Sequence, residues 1–273
     1  MSLSTQRASS SRPAKTSRAL EVLNGNVERI RDSREWQAVL RLRSRLHRYS
    51  FSNSLLILSQ CPEATMVAGY RRWQELGRQV RKGERSIAIM APLVRKDDDG
   101  SQHVFGFRTA SVFDISQTDG EPLPEPPAPE RLEGNEREAE RALARLVEHA
   151  TAHGIPVEFT ESVPGGALGM YSRVEHSITV LASLSPLQRL KTAIHEVAHA
   201  FLHAKDREGI SRERGEIEAE TVAFLVSDAL GLDTGAYSFH YVAHWMGDAS
   251  ELLRAGDEAV RLADALADAL TSA

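Results

Sequence analysis

The stretch Ala193-Ile194-His195-Glu196-Val197-Ala198-His199-Ala200 decides how this chain is read. In an α-helix residues four apart share a face, so His195 and His199 can aim ring nitrogens at one ion, with Glu196 beside them as a proton acceptor. The helix carrying them is predicted to open at Ser185 as N-cap, with Pro186 in its first turn, and to run to about His203. Leu190, Ala193, Ile194, Val197, Ala198, Phe201 and Leu202 give it a broad apolar stripe, which places it in a core.

Two imidazoles leave a tetrahedral zinc site short of a third protein ligand. A His six residues after His199 would be one solution, but position 205 is Lys. The segment Glu216-Ile217-Glu218-Ala219-Glu220 offers carboxylates on a following helix instead. Glu216 is the expected ligand, with Glu213 and Glu220 as competitors. Glu220, one turn on, is otherwise expected to accept a hydrogen bond from a ligand imidazole. With Zn²⁺ held there, an activated water and Glu196 as general base make peptide hydrolysis the expected chemistry. Tyr171, His203, His240, Tyr241 and His244 are candidates for stabilising the oxyanion, and spacing does not rank them.

Around this centre, residues 135–153 read as a helix stopped by Gly154, residues 155–160 as a strand, and residues 165–172 as a turn entering another. Residues 174–181 alternate and read as a further strand of a small sheet. The strand over 171–181 is expected to be the edge on which an extended peptide aligns. An acidic amphipathic helix over 249–270 closes the chain. Residues 131–273 are thus expected to form a zincin-like domain of helices with a small sheet.

Upstream, residues 120–130 hold five prolines in eleven residues, which reads as an extended linker over 121–130. Residues 1–18 read as a disordered basic arm, and residues 19–120 as a first domain. There, residues 19–48 are helical, residues 52–59 form an apolar run, residues 65–70 a short strand, and residues 71–76 the start of a helix. Residues 86–94 and 103–113 pair across the polar turn Lys96-Asp97-Asp98-Asp99-Gly100. The fold class is α+β in two domains, the first with a small antiparallel sheet.

Charge separates the two halves. Residues 1–120 hold 20 Lys+Arg against 12 Asp+Glu, a balance of +8, and residues 121–273 hold 13 against 26, a balance of −13; together they give the net charge of −5. The basic half is the one suited to a polyanion. Its aromatics, Tyr49, Phe51, Tyr70, Trp73, Phe105, Phe107 and Phe113, are interleaved with cations, the composition of surfaces that track phosphates and stack bases. Phe105 and Phe107 share a strand face and are either buried or a stacking platform. Cys61 is the single cysteine, so no intramolecular disulfide forms. No apolar run approaches the roughly 18 residues of a membrane span. The N-terminal stretch lacks an apolar segment, so the expected location is cytoplasmic, with no membrane partner.

The runs Tyr49-Ser50-Phe51-Ser52-Asn53-Ser54-Leu55-Leu56-Ile57-Leu58, Ala68-Gly69-Tyr70-Arg71-Arg72-Trp73, Leu76-Gly77-Arg78-Gln79-Val80-Arg81-Lys82-Gly83-Glu84 and Val112-Phe113-Asp114-Ile115-Ser116-Gln117-Thr118 resemble the N-terminal domain of ArdC-type antirestriction proteins. The run from His195 to His203, the ligand helix and Leu230-Gly231-Leu232-Asp233 resemble the C-terminal domain of that family and the wider ImmA/IrrE-like peptidases. The resemblance implies a single-stranded-DNA-binding domain joined to a zinc-peptidase-like domain, with a protein or peptide substrate that it does not specify. Arg48, Tyr49, Asn53, Arg71, Arg72, Trp73, Arg78, Arg81, Lys82 and Arg85 are then the residues expected along DNA. Two alternatives stand beside this: a DNA-protecting protein with a structural or inactive metal site, and an ImmA-like regulatory peptidase acting on a repressor.

Overall fold

The structure is a computed structural model, and it describes residues 33–46, 49–96, 102–123, 136–204, 210–232 and 249–271. The described chain divides into two compact units, residues 52–123 and residues 33–51 with 136–271. The N-terminal arm, residues 19–32, Arg48, the Asp97–Gly100 turn and most of the proline stretch lie outside the described residues, as do His240, Tyr241 and His244.

In the first unit, helix α2 (Phe51–Gln60), whose first residue Phe51 belongs to the second unit, leads to strand β1 (Val67–Gly69) and helix α3 (Tyr70–Glu75). β2 (Arg78–Val80), β3 (Ile87–Lys96), β4 (Gln102–Asp114) and β5 (Thr118–Gly120) follow. β4 pairs antiparallel with both β1 and β3 in the order β1-β4-β3, and β2 pairs with β5 in a separate ribbon. The hairpin of alternating β-branched segments therefore forms as the sequence predicts. Its register shifts between Leu93 and Val94, so Phe105 has no partner across the ladder. Asp114, fully buried, ties the sheet to its exit: its carboxylate accepts from the backbone N–H groups of Thr65, Met66 and Ser116 at 2.8–3.0 Å.

In the second unit, α1 (Ser33–Arg45) precedes α4 (Glu136–Ala152), β6 (Val157–Thr160), β7 (Gly169–Ser172), β8 (Ser177–Leu181), α5 (Pro186–Leu202), α6 (Arg212–Ala229) and α7 (Ala249–Thr271). The sheet order is β6-β8-β7, with β6 parallel and β7 antiparallel to the central β8. Ile178 and Val180 of β8 and Leu190, Ile194 and Val197 of α5 are fully buried, so sheet and helix share one core. Phe201 is the exception to the apolar stripe; it is half-buried and stacks on His149 with ring centroids 5.8 Å apart.

One placement departs from the sequence reading. Helix α1, expected in the N-terminal domain, packs with the helices of the second unit. Trp36 is fully buried and its Nε1 donates to Thr221 Oγ1 on α6 at 3.1 Å, and Arg43 pairs with Asp264 on α7. The sequence expectation put this helix in the first domain, but Trp36, Val39, Leu40 and Leu42 supply the apolar area that ties it to the second unit.

Candidate metal centre

The site is built where α5 passes α6. Ser185 caps α5 by accepting from the Gln188 backbone N–H, and Ser211 caps α6 by accepting from that of Arg214, so both helices begin where side-chain oxygens meet their free donors. His195 and His199, one turn apart, bring their Nε2 atoms to 3.0 Å. Glu216 Oε2 lies 3.6 Å from His195 Nε2 and 3.8 Å from His199 Nε2. These three residues form the one metal-compatible cluster among the described residues, with ligand atoms all within 4.8 Å of one another. A tetrahedral ion with ligands at about 2.1 Å needs edges of roughly 3.4 Å, so the donor set fits a zinc-like cation. Of the three carboxylates in competition, Glu216 is the one that reaches both imidazoles; Glu213 is exposed.

Electrostatics agree with the geometry. Burial opposes charge on His195, but Glu216, Glu196 and Glu220 together hold its pKa above the ordinary value. Burial and the neighbouring His195 push His199 down to about 3, which keeps it a neutral nitrogen donor. The Glu216 carboxyl is held below its ordinary range by its bond to His195. Glu196 is buried beside them; desolvation raises its pKa, while His195 and the Tyr171 backbone N–H favour its charged form. A carboxylate tuned upward is a better proton acceptor near neutral pH.

Glu220 does not take the supporting role expected of it. It makes no hydrogen bond to an imidazole among the described residues, its Oε2 is buried without a partner, and burial pushes it up to about 7. His203 and Glu218 stand behind His199 instead, as described below. His203 was one of five oxyanion candidates, and its full burial against Glu218 removes it from that role. Tyr171, on the edge strand β7, remains in reach of the site through its backbone, while its hydroxyl bonds His176 Nδ1 at 2.8 Å. Glu218 escaped the sequence reading because it lies between two more conspicuous glutamates; the spacing of His199 to His203 and of Arg214 to Glu218, four residues each, was the available signal.

The peptide edge is also redefined. β8 is central and paired on both sides, so β7 is the strand with a free edge beside α5. Gly169 lets it lie close: a Cβ there would sit 2.6 Å from Thr192 Cγ2 and 2.9 Å from Glu196 Cγ.

The residues expected along DNA divide by environment. Trp73 is fully buried with Nε1 donating to Phe113 O at 2.9 Å, and Asn53 clamps the Met90 backbone with both amide atoms at 2.8 Å. Arg78 turns inward, bonding Thr118 Oγ1, Thr118 O and Gly120 O, and so joins β5 to β2. Arg81 pairs with Glu84 and bonds Ser116 O, Arg72 pairs with Glu75, and Tyr49 is half-buried. Trp73, Asn53 and Arg78 are thus engaged within the fold, which corrects the expectation for these three, while Arg72 and Arg81 sit in exposed ion pairs. Arg71, Lys82 and Arg85 are exposed, without a side-chain partner among the described residues. Phe105 and Phe107 are 54% and 57% exposed, which decides for an accessible aromatic surface over a buried one; Arg95 sits 5.1 Å from the Phe105 ring centre.

Comparison with known proteins matches residues 18–145 to the N-terminal domain of anti-restriction factor ArdC and residues 150–245 to the IrrE N-terminal-like domain of the M78 peptidase family. An uncharacterized protein of Bacillus anthracis is 26% identical over 245 residues, which is 75% of this chain and 42% of that protein, so the chain spans less than half of that relative. The metal-free crystal structure of the antirestriction ArdC protein from plasmid R388 is similar with a TM-score of 0.60 at 21% identity, over 92% of this chain and 98% of that one. Its Mn(II)-bound form gives 0.58 over the same shares. Fold and site define a two-domain α+β protein with a metallopeptidase-like domain. The two matched domains, in this order within one chain, support an ArdC-type antirestriction family.

Proposed function

We propose that this protein is a single-stranded-DNA-binding antirestriction factor whose C-terminal domain hydrolyses a peptide bond at a zinc centre. The observation that carries the reading is the convergence of His195, His199 and Glu216 on one point with the buried carboxylate of Glu196 beside it. His195, His199 and Glu216 would hold a zinc ion, which would supply Lewis-acid polarisation of a carbonyl and a water acidic enough to lose its proton near neutral pH. Glu196, held by the Tyr171 backbone N–H, accepts that proton and returns it to the leaving amine. An extended substrate adds to the free edge of β7, which brings its backbone alongside Glu196. DNA engages the first unit, where Arg71, Lys82 and Arg85 offer exposed cations and Phe105 and Phe107 offer exposed rings.

The test is zinc content and protection of incoming DNA in a restricting host. Glu196→Gln is expected to keep its zinc and to lose the peptidase-dependent part of protection, with hydrolysis falling by about 10²-fold or more. Unchanged protection with zinc retained would assign the function to DNA binding alone. Undiminished zinc in both His199→Ala and Glu216→Ala would overturn the proposed coordination.

A further inference from the structure

Behind the ligand cluster, the second unit buries a chain of ionisable groups that the proposed hydrolysis leaves unused. His203 caps the C-terminal end of α5, with its backbone N–H bonded to His199 O at 2.8 Å and its side chain 1% exposed. Its Nδ1 lies 3.0 Å from His199 Nδ1, and its Nε2 lies 2.6 Å from Glu218 Oε2 on α6. The other oxygen of the fully buried Glu218 accepts from Arg214 Nε at 2.8 Å, and Arg214 Nη2 reaches Glu258 on α7 at 3.2 Å.

Proton accounting along this chain has one consistent solution with neutral imidazoles. A neutral imidazole carries one N–H and one bare nitrogen. A carboxylate can only accept, so the proton of His203 sits on Nε2, facing Glu218. Its Nδ1 is then bare and must accept. Across the 3.0 Å gap, His199 therefore carries its proton on Nδ1. That leaves His199 Nε2 as a bare donor atom aimed at His195 Nε2 and Glu216 Oε2, the form a cation requires. Arg214 keeps Glu218 from being an uncompensated buried charge.

We infer that His203, Glu218 and Arg214 are positioning residues that fix the tautomer and ring orientation of His199 and so hold the site ready for a metal. The inference rests on the reading of His199 as a ligand. It places the supporting carboxylate at Glu218, two residues before Glu220, and it makes α6 supply both a ligand and the brace behind another.

Two measurements on the full chain test it. The first is zinc affinity by competition with a chelator, with cooperative thermal melting of the metal-free protein as the check on folding. Glu218→Gln, which keeps the shape and removes the charge, is expected to bind zinc 10- to 100-fold more weakly. A folded Glu218→Gln protein within about twofold of wild type overturns the inference. Glu216→Ala separates the two levels: if it also binds like wild type, the coordination reading itself has failed. The second measurement needs no variant. ¹⁵N spectra of histidines in the metal-free wild type are expected to show His199 protonated at Nδ1 and bare at Nε2. The reverse tautomer overturns the inference even if every substitution unfolds the chain.

Discussion

A single missing methyl group shapes the centre as much as the charged residues do. Gly169 stands where a Cβ would meet Thr192 Cγ2 at 2.6 Å and Glu196 Cγ at 2.9 Å, both closer than side-chain atoms approach. Gly169→Ala must therefore shift β7 or rotate Glu196 away from the ligand cluster. Because a displacement of about 1 Å can cost on the order of 10²-fold in rate, hydrolysis is expected to fall by that order while zinc content stays at the wild-type value. Metal analysis beside a peptidase assay checks both halves of the statement, and equal loss of zinc would show that the ligand helix had moved instead. The same scale explains why several basic and aromatic residues are not free for DNA. Arg78 spends its guanidinium on Thr118 and Gly120, and Trp73 its indole N–H on Phe113.

Among the elements, α1 is the one whose sequence and position disagree. The sequence placed it in the first domain, yet Trp36 is fully buried, lies 4.5 Å from the Phe51 ring centre, and bonds Thr221 on the ligand helix. Replacing a buried aromatic by Ala leaves a cavity and typically costs about 3–5 kcal/mol. Trp36→Ala is expected to destabilise the second unit by that amount in denaturant unfolding, and to loosen α6 enough to weaken zinc binding as well. An effect confined to oligonucleotide binding, with stability unchanged, would return α1 to the first domain.

For the molecule as a whole, charge separates into a basic and an acidic half, and the basic half is the one suited to the proposed polyanion. The described residues hold no helix long and apolar enough to cross a membrane. Single strands bind with a salt slope of about −0.7 per neutralised phosphate. Lys82→Ala with Arg85→Ala is therefore expected to flatten the slope of log K against log salt for oligonucleotide binding by roughly 1.4. Arg78→Ala acts differently, through loss of the β2–β5 ribbon, and should lower stability before it changes the slope. An unchanged slope in the double variant would overturn the proposed role of Lys82 and Arg85 in DNA binding.

The sequence by itself determined the α+β class, the hairpin, the capped helix from Ser185, and the grouping of His195, His199 and Glu216 as candidate ligands. Each rests on a short period: two residues for strands, four for facing side chains, and caps at fixed offsets. Tertiary structure alone decided which strand is the edge, where α1 packs, and which polar groups are spent inside the fold. It also decided that His203 and Glu218, not Glu220, stand behind His199. Those outcomes depend on contacts between segments far apart in the chain, between α5 and α6 or between Trp36 and Thr221. Local periodicity carries no record of which distant group will satisfy a buried donor or acceptor.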